Sequence, residues 1–348
     1  MRLLNKNIFL ALALLAVAQG CDKEPVGTPT TGVPIMLSAT ETGTKALLDN
    51  GTFKTTGNRI QIYDYVDGTK YFVDQIGPDV QGNTYGYDGV WPFVAGPHQW
   101  TPGTHKFFGW LAEDANMVST ADAAANTPNE FFDTGFVFDE TSKVLTINSK
   151  EMTASTPQFD FLYSNIVSTE PQQEPVGLTF SHLFSAVYVT ARNKDSENNI
   201  TINKITINGL NNVKSSTINF SGTEPVVNYS DDENKEEGGY EFTINSETGL
   251  LTTTAKPLTD TYLIWPQTKE DFANASITVE CTFSEDGKQT NEERTVSLST
   301  LTPVESNYIW APGKVNALNI VFDIDQITFI IQELVPWNET EKDIPVEL

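Results

Sequence analysis

Few residues in this sequence are of a kind that does chemistry. Its 348 residues include three histidines, His98, His105 and His182, and two cysteines, Cys21 and Cys281. His98 and His105 lie in "GPHQWTPGTHKFFGW", seven residues apart across a proline–glycine turn. That spacing matches no metal motif, and no H-E-x-x-H occurs. His182, in "LTFSHLFSAV", sits beside apolar neighbours and reads as a packed residue that fills its hydrogen bonds nearby. There is no G-x-S-x-G elbow, P-loop or dinucleotide fingerprint. Asp and Glu number 46 against 21 Lys and Arg. Carboxylate pairs therefore occur everywhere and say nothing about glycoside hydrolysis. The acidic run "YSDDENKEEGGY" (residues 229–240) is dense enough for calcium, but its spacing fits no calcium loop. It is expected to be a solvated hairpin loop. No catalytic residue, metal site or cofactor is predicted, and the chain is not read as an enzyme.

The cysteines are more informative. Arg2 and Lys6 precede an unbroken apolar segment at residues 8–18. Such a segment is far short of the roughly 20 residues that span a bilayer. A basic head, a short apolar run and small residues before a cut describe a secretory signal peptide over residues 1–20. It ends Ala18-Gln19-Gly20-Cys21, similar to a bacterial lipoprotein box, with cleavage expected between Gly20 and Cys21 and lipid on Cys21. The alternative is an ordinary signal peptide in which Cys21 is incidental. With Cys21 lipidated, Cys281 has no disulfide partner and is expected to act as a small buried apolar residue. Two cysteines also exclude a disulfide framework, so the exported chain must be held by its core.

The formal charge is −25, and loss of Arg2 and Lys6 would take it to −27. An acidic surface disfavours nucleic acid and anionic lipid as partners and favours solubility. Asp22, Lys23 and Glu24 resemble the acidic-biased signal that sends lipoproteins to the outer face of an outer membrane, and they also suit a solvated tether. Lipid on Cys21 would be the membrane attachment.

Positioning elements follow from the pattern. Residues 25–34, "PVGTPTTGVP", read as a flexible linker. After them come short runs with period-two alternation, rich in Ile, Val, Thr, Phe and Tyr and separated by turn residues. Examples are "RIQIYDYV", "TGFVFD", "KVLTIN", "GLTFSHLFSAVYVTA", "NITINKITING", "YEFTIN", "ASITVECTF" and "DQITFIIQEL". Helices are scarce: "GWLAEDANMVSTADAAANTPNE" lacks an apolar stripe and reads as a loop with a short helix. The predicted fold is all-β, two β-sandwich domains in tandem after a signal peptide and short linker. A polar, proline-bounded seam at "STEPQQEP" (168–175) places the domains at 34–170 and 171–348, after a tether at 21–33.

Aromatic residues crowd one stretch: Tyr85, Tyr87, Trp91, Phe93, Trp100, Phe107, Phe108 and Trp110. They suit either a sugar-stacking platform or the large buried area that a disulfide-free sandwich needs. Phe107 and Leu111 alternate with Phe108 and Trp110, so at least one of those faces must be core.

The ordered series of runs resembles a known family. "PIMLSAT", "FKTTGNRIQIYDYV", "QWTPGTHKFFGWLAED", "FDFLYSN", "VGLTFSHLFSAVYVTARN", "DTYLIWPQT", "LTPVESNYIWAPGKVNALNIVF" and "ITFIIQELVPWNE" occur in that order. Together with the lipobox they resemble the fimbrillin-like proteins of Bacteroidia, lipoprotein precursors of type V pili. The resemblance implies a subunit exported as an outer-membrane lipoprotein and then cut by a trypsin-like protease. The groove left by its first strand is refilled by a C-terminal strand of another subunit, which is β-augmentation. By this resemblance "VPIMLSAT" (33–40) is the removable first strand, and Lys45 is the maturation site, leaving Ala46 as the new N-terminus. "ITFIIQELVPWNETEKDIPVEL" (327–348) is the candidate donor, with Ile327, Phe329 and Ile331 on one strand face; residues 327–334 could equally be a last strand closing its own domain, whereas the tail at 338–348 better suits pairing elsewhere. Implied partners are other pilin subunits and a host or bacterial surface receptor. The other expectation is a surface glycan-binding lipoprotein of a polysaccharide-uptake system, using the aromatics between Trp91 and Trp110.

Overall fold

A computed structural model describes residues 32–41, 60–77, 90–112, 136–148, 160–194, 199–211, 214–231, 238–244, 249–285, 287–301, 307–322 and 327–336. These residues fold as strands, with a 3-10 turn at Asp271–Asn274. Those of the first half are β1 (Leu37–Glu41), β2 (Ile60–Val66), β3 (Thr69–Ile76), β4 (Val90–Trp91), β5 (His105–Ala112), β6 (Phe136–Asp139), β7 (Val144–Asn148), β8 (Phe161–Ser164) and β9 (Val167–Thr169). Next come β10 (Val176–His182), β11 (Ser185–Asn193), β12 (Asn199–Leu210), β13 (Lys214–Asn219), β14 (Val226–Asp231), β15 (Gly238–Thr243), β16 (Lys256–Pro257) and β17 (Tyr262–Ile264). The chain closes with β18 (Gln267–Thr268), β19 (Ser276–Glu285), β20 (Lys288–Ser297), β21 (Tyr308–Trp310), β22 (Lys314–Phe322) and β23 (Ile327–Pro336).

The first sheet has the order β3-β2-β5-β8-β10-β1-β4, with β9 also on β5. Its two ends meet. Phe93, just past β4, bridges Ile76 on β3. Val94 N–H donates to Gln75 O at 2.8 Å, and Gly77 N–H to Pro92 O at 3.2 Å. The sheet therefore curls into a ring, and closure leaves its edges paired. Period-two alternation fills both sides. Ile60 and Ile62 on β2, Phe107 and Leu111 on β5, and Leu178 and Phe180 on β10 point into the ring with Trp91 and Trp100. Tyr63, Tyr65, Phe108 and Trp110 point outward and are also buried. Phe108 stacks on Phe220 with centroids 4.6 Å apart, and Tyr63 meets Phe138 at 4.5 Å.

Those outward aromatics are covered by a four-stranded sheet, β14-β13-β7-β6. Beyond it the same core runs on through a five-stranded sheet, β16-β11-β22-β23 with β17, and a four-stranded sheet, β15-β12-β19-β20. The halves interleave. β7 precedes the expected boundary at 170/171, yet it pairs with β13, which follows it. β10 also follows that boundary and belongs to the first ring, antiparallel to β8 and parallel to β1. The run "GLTFSHLFSAVYVTA" is accordingly two strands in two sheets, changing over at the fully buried Leu183 and Phe184. The acidic run is not a hairpin either. Its first residues belong to β14, which pairs with β13, and its last to β15, which pairs with β12, so the run joins two sheets; residues 232–237 lie outside the described residues.

Candidate functional site

All three histidines are bound to aspartates. His105 Nδ1 lies 2.6 Å from Asp64 Oδ2 with both side chains at 0% exposure. Its Nε2 lies 2.9 Å from the Thr101 carbonyl, which can only accept, so that nitrogen carries a proton. Burial pushes the Asp64 carboxyl up to about 6, against the hydrogen bond and charge of His105. His182 Nδ1 lies 2.8 Å from Asp160 Oδ2, also fully buried. His98 Nε2 lies 2.8 Å from Asp74 Oδ2, and its ring stacks on Phe72 at 3.8 Å. These pairs cross between elements far apart in sequence and act as cross-braces. Among the described residues no group of three or more His, Cys, Asp or Glu could hold a metal ion. Cys281 lies buried on β19, where burial pushes its thiol up to about 11; a thiol in that state is inert packing.

The aromatic stretch is core. Trp91, Trp100, Phe107, Phe108 and Trp110 are each at most 2% exposed, and Phe93 7%. That answers the choice between platform and core for these six, because a stacking platform needs its ring faces open to solvent. Tyr85 and Tyr87 lie outside the described residues.

The most N-terminal of the described strands, β1, has a seat built from both of its neighbours. β1 runs parallel to β10, with Leu37 opposite Val176, Ala39 opposite Leu178 and Glu41 opposite Phe180. On its other side β4 pairs with it antiparallel at Leu37 and Ser38. Ahead of β1, Pro34 bridges Gln99. There Ile35 N–H donates to His98 O at 2.8 Å, Trp100 N–H to Val33 O at 2.9 Å, and Val176 N–H to Met36 O at 2.8 Å. Side chains follow the pleat: Ile35, Leu37 and Ala39 are 3%, 0% and 2% exposed and sit in the ring's core, while Met36 and Ser38 face the other way. Each large apolar side chain so buried contributes about 1.5–3 kcal/mol. The segment is thus a stave of the ring reached from residue 41 only through residues 42–59, outside the described residues. Lifting it out would expose an apolar trough and the unpaired backbone of β10.

Of the site residues expected from sequence, Gly20, Cys21, Lys45 and Ala46 lie outside the described residues. Ile327, Phe329 and Ile331 lie on β23, the edge of the five-stranded sheet, antiparallel to β22, where they pair with Phe322, Ile320 and Leu318. β23 and the seat of β1 belong to different sheets. Sequence reasoning missed Asp74, His98 and Trp100 as neighbours of the first strand. No spacing signals them, because they are joined by ring closure.

A family model described as fimbrillin-like matches residues 39–337. Among solved structures, a fimbrial protein from Bacteroides vulgatus matches at 11% identity, covering 88% of this chain and 99% of that one, with a TM-score of 0.58. A Bacteroides ovatus protein described as a candidate cell adhesion protein matches at 13% identity with the same coverages and a TM-score of 0.51. At these identities the structures show a shared fold. A search of curated protein sequences returns no match.

Proposed function

The chain belongs to the fimbrillin-like family, and from that premise we propose that it is a structural subunit of a type V surface pilus, assembled by strand exchange and supporting adhesion or biofilm formation. The observation that carries this reading is the seat of β1: an N-terminal segment in the interior of a ring, bonded on both sides, with alternate side chains in a trough of its own shape. A strand held this way can be replaced by another extended peptide with the same alternation, which would recover both the backbone bonds and the apolar burial. In this reading lipid on Cys21 holds the precursor at the outer membrane, and cleavage after Lys45 releases residues 21–45 and exposes Ala46. The partners are other pilin subunits.

Two C-terminal stretches could donate. β23, with Ile327, Phe329 and Ile331, already completes its own sheet along nine register pairs. The tail beyond it ends "DIPVEL", where Ile344, Val346 and Leu348 repeat the spacing of Ile35, Leu37 and Ala39. The glycan-binding reading lacks support at Trp91, Trp100 and Trp110, which are buried.

The first test is the N-terminus of protein isolated from the cell surface, read by mass spectrometry. Ala46 as first residue supports a pilin that sheds its first strand. An intact acylated Cys21 on protein recovered from filaments would overturn the exchange mechanism.

A further inference from the structure

The first-strand seat has two walls, and β10 is only one of them. The other is the stretch of residues 90–100, which bonds residues 33–38 along their outer edge. Resting on the strand-exchange reading, we propose that Asp74 and His98 are a positioning pair that keeps this second wall standing when the first strand leaves, so that an incoming strand is gripped from both sides.

The bonding pattern supports this. Toward the strand the wall offers the His98 carbonyl, the Trp100 N–H and the β4 ladder. Toward the body of the ring it is tied independently of the strand. Pro92 O accepts from Gly77 N–H and Val94 N–H donates to Gln75 O. Ala95 N–H donates to the Asp74 carboxylate at 3.2 and 3.3 Å, and Asp74 Oδ2 also holds His98 Nε2 at 2.8 Å. Tyr71 OH donates to Gln99 O at 3.0 Å. The His98 ring lies flat on Phe72, 5° from parallel, and meets Phe93 edge-on at 4.7 Å. At the far end Thr101 O is held by His105. Asp74 and His98 are therefore the side chains that fix the carbonyl to which Ile35 donates. Removing β1 cuts none of the bonds from the wall to β3.

The geometry also sets a requirement on the incoming peptide. The residue taking the place of Ile35 must keep its N–H for His98 O, whereas the place of Met36 supplies a carbonyl to Val176. Proline is thus refused at the first place and can keep the carbonyl at the second. In the frame that sets Ile344 at the place of Ile35, Pro345 falls at the place of Met36.

The test uses the full chain with a specific protease site substituted around Lys45. After cutting, residues 32–41 are stripped in mild denaturant, and circular dichroism checks that strand content survives. A fluorescein-labelled peptide, GVPIMLSATE, is titrated by anisotropy, alongside the same peptide N-methylated at the Ile35 position. We expect His98→Phe, which keeps the ring stack, and Asp74→Asn to weaken the plain peptide about tenfold. N-methylation should weaken binding to the unsubstituted chain by a similar factor and add little on His98→Phe, since both remove the same grip. Equal binding by the unsubstituted chain and His98→Phe would overturn the inference while leaving strand exchange intact, as would fully additive losses. No uptake by the unsubstituted emptied chain would overturn the exchange reading and this inference with it. The N-methylated peptide needs no protein variant, so a folding defect cannot mimic its effect.

Discussion

Asp64 and His105 form a fully buried pair inside the ring, where burial penalises the charged form of the carboxyl. Its pKa in the folded chain, about 6, lies above the ordinary value of 3.8, with burial as the largest cause. Between those values the folded state holds a proton that the unfolded state has released. The stability contributed by this proton is complete below about pH 4 and is lost as pH rises through about 6. Urea unfolding across that window should therefore show a falling contribution with rising pH in the native chain, and Asp64→Asn should remove it. An unchanged difference between the two chains at all pH values would contradict the assignment. Gly109 gives a second prediction of this kind. A Cβ there would lie 2.2 Å from the Gln61 carbonyl on the neighbouring strand, a contact with backbone that cannot turn aside. Gly109→Ala should destabilise the ring by about 2 kcal/mol or more, read as a drop in the unfolding midpoint. Leu37→Ala should cost about 2–4 kcal/mol by leaving a cavity in the trough, and limited proteolysis should then cut within residues 32–41 sooner.

Among the elements, β1 and β23 have opposite settings. β1 is interior, with a parallel partner on one side and a wall on the other. Among the described residues β23 is a sheet edge, joined to its sheet by β22. If the tail donates, truncation after Trp337 should abolish polymers in electron micrographs while the monomer melts unchanged. If β23 donates, that truncation should leave filaments, and only removal of residues 327–348 should end them. The larger deletion should also lower the melting temperature, because it uncovers β22, whose Leu318, Ile320 and Phe322 are at most 1% exposed.

For the whole molecule, net charge opposes self-association. A formal charge of −25 makes copies of this chain repel one another, and salt screens that repulsion within about 8–10 Å at 0.1–0.15 M. If the chain polymerises after cleavage as proposed, polymerisation should accelerate as sodium chloride rises from about 10 to about 150 mM, measured by light scattering. Slower growth in higher salt would mean that opposite charges on facing subunits dominate the encounter.

Much of this molecule was legible in the chain itself. Alternation in "RIQIYDYV", "KVLTIN" and "NITINKITING" marked β2, β7 and β12, because a half-buried strand must alternate whatever surrounds it. The isolated Cys281 and the scarcity of metal-ligand spacings pointed to a fold held by its core. The ordered runs pointed to the fimbrillin-like family that the comparison shows. What the chain could not disclose is which strand meets which. Period two states that a residue faces a core but not which one, so both faces of β5 being buried and the change of sheet at Leu183–Phe184 were decided by packing. The interleaving of β7 with β13 is likewise a pairing of distant segments, whose closure depends on burying one shared core rather than on any local signal. Asp74 and His98 are 24 residues apart, and only the meeting of the sheet's two ends makes them the support of the first strand's wall.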